Sequence, residues 1–463
     1  MVSRKSGGDK PLPYEKKNKK MTKINSREIA LKILFDIEAK SAFANETIED
    51  YSNRFGLSSL DRRFVRELVN GVTKLRRRLD YILSFFLKDD IRDLTPWIRN
   101  ILRLGLYQIE YLDRVPDRSA VDESVKLAKR FGHKGTAGLV NAVLRNYLRD
   151  RKRVVFPSMG KEKVKAIGTI YSFPDWMVED WLRQSGEEKT IKLCEAFNQK
   201  ANFSFRLNSL KIKQMDLEGA LDRKKLKYRR GDFLNNFYWI ESKIDLEYLF
   251  LFSKGYVYPQ DESAGFPVLL LDPKPGETIL DICAAPGGKL TYLAELMKNS
   301  GKLTALDISQ DRMKKIKENC LRLGIENVDF QIGDARNYST EPGNKILIDA
   351  PCSGLGVLGR NSDARWQKKR EDLKRLAEAQ SAILFNASDL VKKDGVIVYT
   401  TCSLAEEENE KVIEQFLEQR KEFKKEDASD FVDQRAVNKN GFVRTYPHLH
   451  GLDGTFAARL RKI

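Results

Sequence analysis

Two cysteines each stand just past an apolar run, in Ile346-Leu347-Ile348-Asp349-Ala350-Pro351-Cys352-Ser353 and in Val396-Ile397-Val398-Tyr399-Thr400-Thr401-Cys402-Ser403. A third such run, Ile279-Leu280-Asp281-Ile282, leads into Cys283-Ala284-Ala285-Pro286-Gly287-Gly288-Lys289. Short apolar runs bounded by turn residues read as buried strands. Two thiols and a carboxyl group at strand ends, beside a glycine turn, could methylate carbon 5 of a cytosine. That carbon is not a nucleophile by itself. It becomes one when a thiolate adds to carbon 6 and an acid holds or protonates N3, giving an enamine that attacks an electrophilic methyl group. The chemistry needs a cysteine of lowered pKa, a nearby carboxyl group, a methyl donor and a base drawn out of any stack. Asp349 and Cys352 fall in the turn after a fourth strand and Cys402 ends a fifth. Adjacent parallel strands would bring these turns together above one pocket.

The cofactor half of such a site is read from the preceding strands. Thr278–Cys283 is almost wholly apolar and fits a central strand buried on both faces. Ala284, Ala285, Pro286, Gly287, Gly288 and Lys289 then turn into a helix expected over Leu290–Met297. Small residues let the backbone approach a ligand, and the helix start offers N–H groups to a carboxylate or phosphate. A Walker A loop is excluded, because Cys283 stands where its first glycine belongs and Leu290 where its Ser or Thr belongs. The dinucleotide pattern G-x-G-x-x-G is also absent. What remains is a nucleoside cofactor with a small anionic end. Asp307 closes the next strand about 20 residues after the turn, where a carboxylate can hold ribose hydroxyls. Asp334 closes the third strand, Val328–Gly333, and could face an adenine amino group. A single aspartate in such a place is ordinarily a cap or turn former. Three at successive strand ends (Asp307, Asp334 and Asp349) are harder to explain that way. Cysteines are ordinarily small core residues. That reading suits Cys194, Cys320 and Cys283 better than Cys352 and Cys402, whose turns are rich in hydroxyls or glycine.

From Gln260 onward strands and helices alternate, which predicts an α/β, doubly wound, mostly parallel sheet over residues 260–463. Residues 1–24 form a basic tail with Gly7-Gly8, Pro11 and Pro13, expected to be disordered. Residues 25–150 read as an all-α bundle. Ile29, Ile33, Leu34 and Ile37 make one stripe; Phe64, Val65, Leu68, Val69 and Val72 make another, after a cap at Ser58 or Ser59. Thr95-Pro96 marks a further helix start. Arg62, Arg63, Arg66, Lys74, Arg76, Arg77, Arg78, Arg99 and Arg103 place positive charge on the polar faces of this bundle. A charge run is usually a solvated face, but Arg76-Arg77-Arg78 suggests phosphate contacts. Residues 151–259 read as a linker followed by a small α+β module, with a strand at Phe203–Asn208.

Lys and Arg exceed Asp and Glu by 17 in 463 residues, which favours a polyanionic partner, nucleic acid first. No run of about 18 apolar residues is present, so no membrane span or membrane partner is expected. Five cysteines without a C-x-x-C pair argue against a disulfide framework or a zinc site and for a reducing cytoplasm. The three histidines form no ligand pattern, so no metal is expected.

The segments CAAPGGK (Cys283–Lys289), DAPCSGLG (Asp349–Gly356) and TTCS (Thr400–Ser403), followed by EENE (Glu407–Glu410), resemble the RNA cytosine-C5 methyltransferases. The resemblance implies a Rossmann-like fold that uses S-adenosyl-L-methionine. It makes Cys402 the nucleophile, gives Cys352 a part in product release, and sets Asp349 against both cofactor and base. Asp61–Phe64 through Val69–Val72, Ile101–Gly105 and Val140–Arg145 are similar to the NusB-like RNA-binding domain. That domain is fused to this methyltransferase in the RsmB (Sun or Fmu) family, and the likeness runs over roughly residues 25–463. It implies a target in 16S rRNA, cytosine 967 in the family, and a protein acting as a monomer on RNA that is free or in early small-subunit assembly. Two stretches depart from the family pattern: Gly359–Asp363 replaces a basic-His-Pro-Asp run, and Leu404-Ala405-Glu406 lacks the usual proline. The same chemistry on another RNA such as tRNA, or a non-catalytic RNA-binding assembly factor, are the alternative readings. The intact Asp349, Cys352 and Cys402 speak against the latter.

Overall fold

A computed structural model describes residues 25–200, 202–241 and 246–463. The tail expected to be disordered, residues 1–24, lies outside them. The chain divides after Val154 into two compact units.

The first unit is wholly helical: α1 (Ser26–Lys40), α2 (Ala44–Arg54), α3 (Ser59–Lys74), α4 (Arg76–Ser84), α5 (Pro96–Tyr111), α6 (Asp117–Phe131) and α7 (Lys134–Arg149). Side-chain oxygens cap the starts where the sequence signals them. Ser58 accepts from the Asp61 N–H and Thr95 from the Ile98 N–H, with Pro96 in the first turn. The apolar stripes meet in one core of Ile29, Ile33, Leu34, Val65, Leu68, Val69, Ile101 and Leu102. Trp97 stacks between Phe35 at 4.0 Å and Phe131 at 4.7 Å, joining three helices. The basic face is narrower than the charge pattern predicts. Arg103 is buried, with Nε 2.6 Å from Asp80 and Nη1 2.9 Å from Glu38, and Arg99 reaches Glu38 at 2.9 Å. Because α5 packs against α1, α3, α4, α6 and α7, even its polar positions face acids on neighbouring helices rather than solvent.

The second unit opens with α8 (Lys163–Ile170) and α9 (Asp175–Asn198), the latter interrupted at Gly186, where φ is +76°. A four-stranded antiparallel sheet follows: β1 (Phe203–Leu207), then α10 (Gln214–Arg223), β2 (Tyr228–Arg230), β3 (Phe237–Ile240), α11 (Leu246–Ser253) and β4 (Val257–Pro259), in the order β2-β3-β1-β4. Leu217 and Leu221 of α10 cover it, packed on Phe205, Leu207, Tyr238 and Val257.

The larger sheet begins after α12 (Phe266–Leu271). Its parallel part comprises β5 (Thr278–Ile282), β6 (Lys302–Asp307), β7 (Val328–Ile332), β8 (Gly343–Asp349) and β9 (Val391–Thr401). The crossovers carry α13 (Gly288–Leu296), α14 (Gln310–Leu323), α15 (Ala364–Gln367) and α16 (Arg370–Asp389). After α17 (Glu410–Gln419) come β10 (Phe423–Glu426), β11 (Val443–Arg444), α18 (Pro447–His450) and β12 (Phe456–Lys462). The order β10-β12-β9-β8-β5-β6-β7 is parallel from β7 to β9, and β12 joins β9 antiparallel, with β11 beside β12. Alternate residues feed two cores. Ile279, Leu347 and Val398 pack with Leu290, Leu293 and Ile316 on one face; Leu280, Ile346, Ile348 and Ile397 pack with Ile383, Leu384 and Ile413 on the other. Chain order reverses between β5 and β8, so a crevice opens at the carboxyl ends of the strands, where ligands bind in such sheets.

Candidate active site

Register explains why residues far apart in sequence share this crevice. On β8 and β9 the Cα of Asp349 lies opposite that of Thr400, so both thiol-bearing turns leave the sheet at one level. Cys352 Sγ and Cys402 Sγ stand 2.9 Å apart as free thiols, and the Cys402 N–H donates to Cys352 Sγ at 3.3 Å. Both side chains are half-buried. Gly356 donates its N–H to the Cys402 carbonyl at 2.8 Å. A Cβ there would fall 2.0 Å from the Gly454 oxygen, so only glycine permits this approach. Behind the turns, Leu355, Leu358, Leu404 and Ala405 pack on Phe173, Trp181 and Phe197 of the α8–α9 region. Part of residues 151–259, read from sequence as a linker and a small α+β module, thus backs the site.

The hydrogen bond to Cys402, followed by burial, pushes the Cys352 thiol well above the ordinary cysteine range. Cys194 and Cys320 are buried, and burial raises each to about 12, as suits inert core thiols. Cys283 is half-buried at a φ of +63°, and burial with the charges of Asp349 and Asp307 raises it to about 12.

Lys289 joins the two halves of the site. Its Nζ donates to Asp349 Oδ2 at 2.6 Å, tying the glycine turn to the end of β8. Burial works to lower this ammonium's pKa, but the Asp349 carboxylate overrides it and holds it above the usual lysine value. Nearby lies Asp281, fully buried in β5, with no hydrogen-bond partner for either carboxyl oxygen among the described residues. Burial, with the charges of Asp349 and Asp307, pushes this carboxyl well above the usual carboxylate range.

A nucleoside cofactor fits what surrounds the turn. Asp307 is buried and accepts N–H bonds from Ser309 at 2.9 Å and Ala285 at 3.3 Å. No ion pair to it occurs among the described residues, so its oxygens keep capacity for hydroxyl donors. Gly287 has a φ of +97°, and a Cβ on Gly288 would come 3.0 Å from the Tyr258 ring, so the turn presents bare backbone. Ala284 is buried and Ala285 donates to Asp307, while the Pro286 carbonyl accepts from Asn319 at 2.9 Å. Ile308 is 63 % exposed, an apolar surface beside Asp307 suited to one face of a purine. Asp334 turns instead onto its own neighbour, with Arg336 Nε 2.9 Å from Oδ1, and that guanidinium holds the carboxyl down at about 2.

Sequence reading did not single out Asp281, Ile308 or Arg206. The Arg206 side chain is fully buried and donates to Glu295 at 2.7 Å, to Thr291 at 3.1 Å and to the Gly288 carbonyl at 3.0 Å. It therefore anchors the small sheet to α13, the helix that follows the glycine turn. In sequence it is an arginine in an alternating strand, and nothing local marks it as buried. Arg360, in a stretch that departs from the family pattern, pairs with Asp453 at 2.7 Å and Asp261 at 2.8 Å. Among the described residues no cluster of His, Cys, Asp and Glu could hold a metal ion, and no helix is long and apolar enough to cross a membrane.

An open α/β sheet with a crevice at its strand ends and two thiols in contact at its rim fits a Rossmann-like methyltransferase unit, here preceded by a NusB-like helical bundle. Residues 268–461 match the family model of the 16S rRNA methyltransferase RsmB/F, residues 24–149 the NusB family, and residues 173–246 the RsmF/B-like ferredoxin-like domain. The chain is 36% identical to the probable ribosomal RNA small subunit methyltransferase B of Bacillus subtilis, over 96% of its own length and 100% of the relative's. With the ribosomal RNA small subunit methyltransferase B of Yersinia enterocolitica it shares 31%, over 88% and 92%. Among solved structures, PH0851 superposes with a TM-score of 0.78 at 27% identity, covering 96% of this chain and 100% of that one. NSun6 from Pyrococcus horikoshii, solved with SFG, superposes with 0.58 at 26%, covering 63% and 99%. The chain belongs to the ribosomal RNA small subunit methyltransferase B family.

Proposed function

We propose that this protein transfers a methyl group from S-adenosyl-L-methionine to carbon 5 of a cytosine in 16S rRNA, cytosine 967 by family analogy, through a covalent bond between Cys402 and the base. The observation that carries the reading is the pair of free thiols in contact above the Lys289–Asp349 ion pair, at the mouth of a crevice shaped for a nucleoside. Family membership supports an rRNA substrate, and the neighbour solved with SFG, an analogue of S-adenosylmethionine, supports the cofactor. The cofactor supplies an electrophilic methyl group. The chain's residues do the rest. Asp307 holds ribose hydroxyls, the backbone of Ala284–Lys289 takes the small anionic end, and Ile308 lies under the purine. Asp334, oriented by Arg336, offers its remaining acceptor capacity at the purine's edge. Asp349 faces N3 of the cytosine and, with a proton on the oxygen that Lys289 does not hold, donates it as N3 takes up the electron pair, while Lys289 fixes its orientation through Oδ2. Cys402 adds to carbon 6, which makes carbon 5 nucleophilic. As a water takes the carbon 5 proton, the freed electron pair re-forms the carbon 5–carbon 6 double bond and Cys402 leaves carbon 6 as a thiolate; the Cys352 thiol, in contact with it, is placed to assist by donating to that departing sulfur. The helical unit supplies RNA affinity, and the protein works in the cytoplasm as a monomer on free rRNA or an early assembly intermediate.

The test is a methylation assay with purified protein, labelled S-adenosylmethionine, and 16S rRNA or tRNA transcripts, with bisulfite sequencing of the products. A single 5-methylcytosine in 16S rRNA is expected. Modification of tRNA alone would move the activity to another RNA, and no transfer to either would favour an assembly factor.

A further inference from the structure

Glu408 is buried beside the two thiol-bearing turns, and among the described residues it makes no hydrogen bond to either thiol. Its Oε1 accepts from the Ser353 N–H at 2.8 Å and from Gln380 Nε2 at 3.0 Å. Its Oε2 accepts from the hydroxyls of Ser353 and Ser403. Ser353 directly follows Cys352 and Ser403 directly follows Cys402, and both serines are buried. Gln380 also donates to the carbonyl of Pro351, on the other side of Cys352, at 2.9 Å. Asn409 completes the arrangement, accepting from the Thr401 hydroxyl at 2.5 Å and donating to the Ser403 carbonyl at 2.9 Å. No cation pairs with Glu408 among the described residues, so four hydrogen-bond donors alone offset the burial of its charge. Such a cluster is costly unless satisfied; each Glu408 oxygen has two donors, Gln380 Oε1 has none among the described residues, and every leg from Glu408 ends on a residue flanking Cys352 or Cys402 or on Gln380, which itself holds Pro351.

We propose that Glu408 is a positioning residue for the reaction at Cys402: one buried carboxylate that locks the turns after β8 and β9 together and thereby sets the contact between the two thiols. The inference rests on Cys402 being the nucleophile. The lock also has an electrostatic side, since the Glu408 charge adds to the causes that keep Cys352 protonated. One group would hold both sulfurs in place and add to the causes that raise the Cys352 thiol.

Full-length Glu408→Gln, Glu408→Asp, Ser353→Ala and Ser403→Ala proteins test this in two arms. The first measures single-turnover methyl transfer to 16S rRNA together with dissociation constants for S-adenosylmethionine and RNA. The second follows iodoacetamide labelling of Cys352 and Cys402 by mass spectrometry, which needs no RNA and no turnover. In Glu408→Gln, transfer should slow by about 10- to 100-fold, as expected for a loosened reacting group, with both dissociation constants within about twofold of wild type. Cys352 labelling should accelerate relative to Cys402, and Glu408→Asp should recover part of both effects. Should Glu408→Gln fail to fold, the two serine variants, each removing one leg, must show the same selective loss. An unchanged rate and labelling ratio would overturn the proposal. So would a loss of cofactor affinity as large as the loss of rate, which would make Glu408 a general support. If wild-type protein methylates no RNA, the functional reading fails, while the labelling arm still decides whether Glu408 holds the thiols.

Discussion

The contact between Cys352 and Cys402 makes two chemically identical side chains unequal. Cys352 has its thiol pushed well above the usual range, first by the hydrogen bond to Cys402 and then by burial. A raised thiol pKa means less thiolate at any pH below it, so alkylation of Cys352 should stay slow from pH 7 to 9. In Cys402→Ala the leading cause is gone, the Cys352 pKa should fall, and its labelling should speed up at the same pH. Mass-spectrometric alkylation rates across that pH range check the prediction. Equal labelling of Cys352 in wild type and variant would show that the sulfur contact does not set its protonation.

At the scale of elements, Arg206 on β1 reaches across to α13 and ties the small sheet to the glycine turn proposed to receive the cofactor. Breaking a buried pair by removing one partner costs about 3–5 kcal/mol. Arg206→Met leaves Glu295 at 1% exposure without its cation. The loss should appear as a lower urea midpoint, with cofactor binding weakened as well because the Gly288 carbonyl loses its donor. Pairing the change with Glu295→Gln should recover part of the stability but not the cofactor affinity. An unchanged midpoint in Arg206→Met would mean that the pair contributes nothing net. This link also marks where sequence reading stops. The five parallel strands were legible because each ends in a turn, most of them after a short apolar run, and Asp349, Cys352 and Cys402 because those turns carry reactive groups. Arg206, Asp281 and the role of Glu408 were not. Each is a polar residue whose meaning depends on what a distant segment brings to it: α13 to Arg206, Asp349 and Asp307 to Asp281, two serines to Glu408. The bundle shows the same limit, since Arg99 and Arg103 read as surface charge until α1 and α4 supply Glu38 and Asp80.

For the whole molecule, the division after Val154 separates the helical unit from every residue of the cofactor and thiol sites. Removing residues 1–154 should leave S-adenosylmethionine affinity unchanged. RNA affinity should fall, with a shallower dependence on salt, because fewer phosphates are neutralised. Binding isotherms at several salt concentrations decide this, and an unchanged slope would mean that the methyltransferase unit reads the RNA alone. The central claim, a covalent step at Cys402 on an rRNA cytosine, is tested most directly by mass spectrometry of the full-length Cys352→Ala protein. It would be incubated with 16S rRNA and S-adenosylmethionine and digested with protease and nuclease. The expected product is the Cys402 peptide carrying a cytidine nucleotide that already holds the transferred methyl group, absent when Cys402 is also Ala. An adduct on any other residue, or one that survives loss of Cys402, would contradict the account.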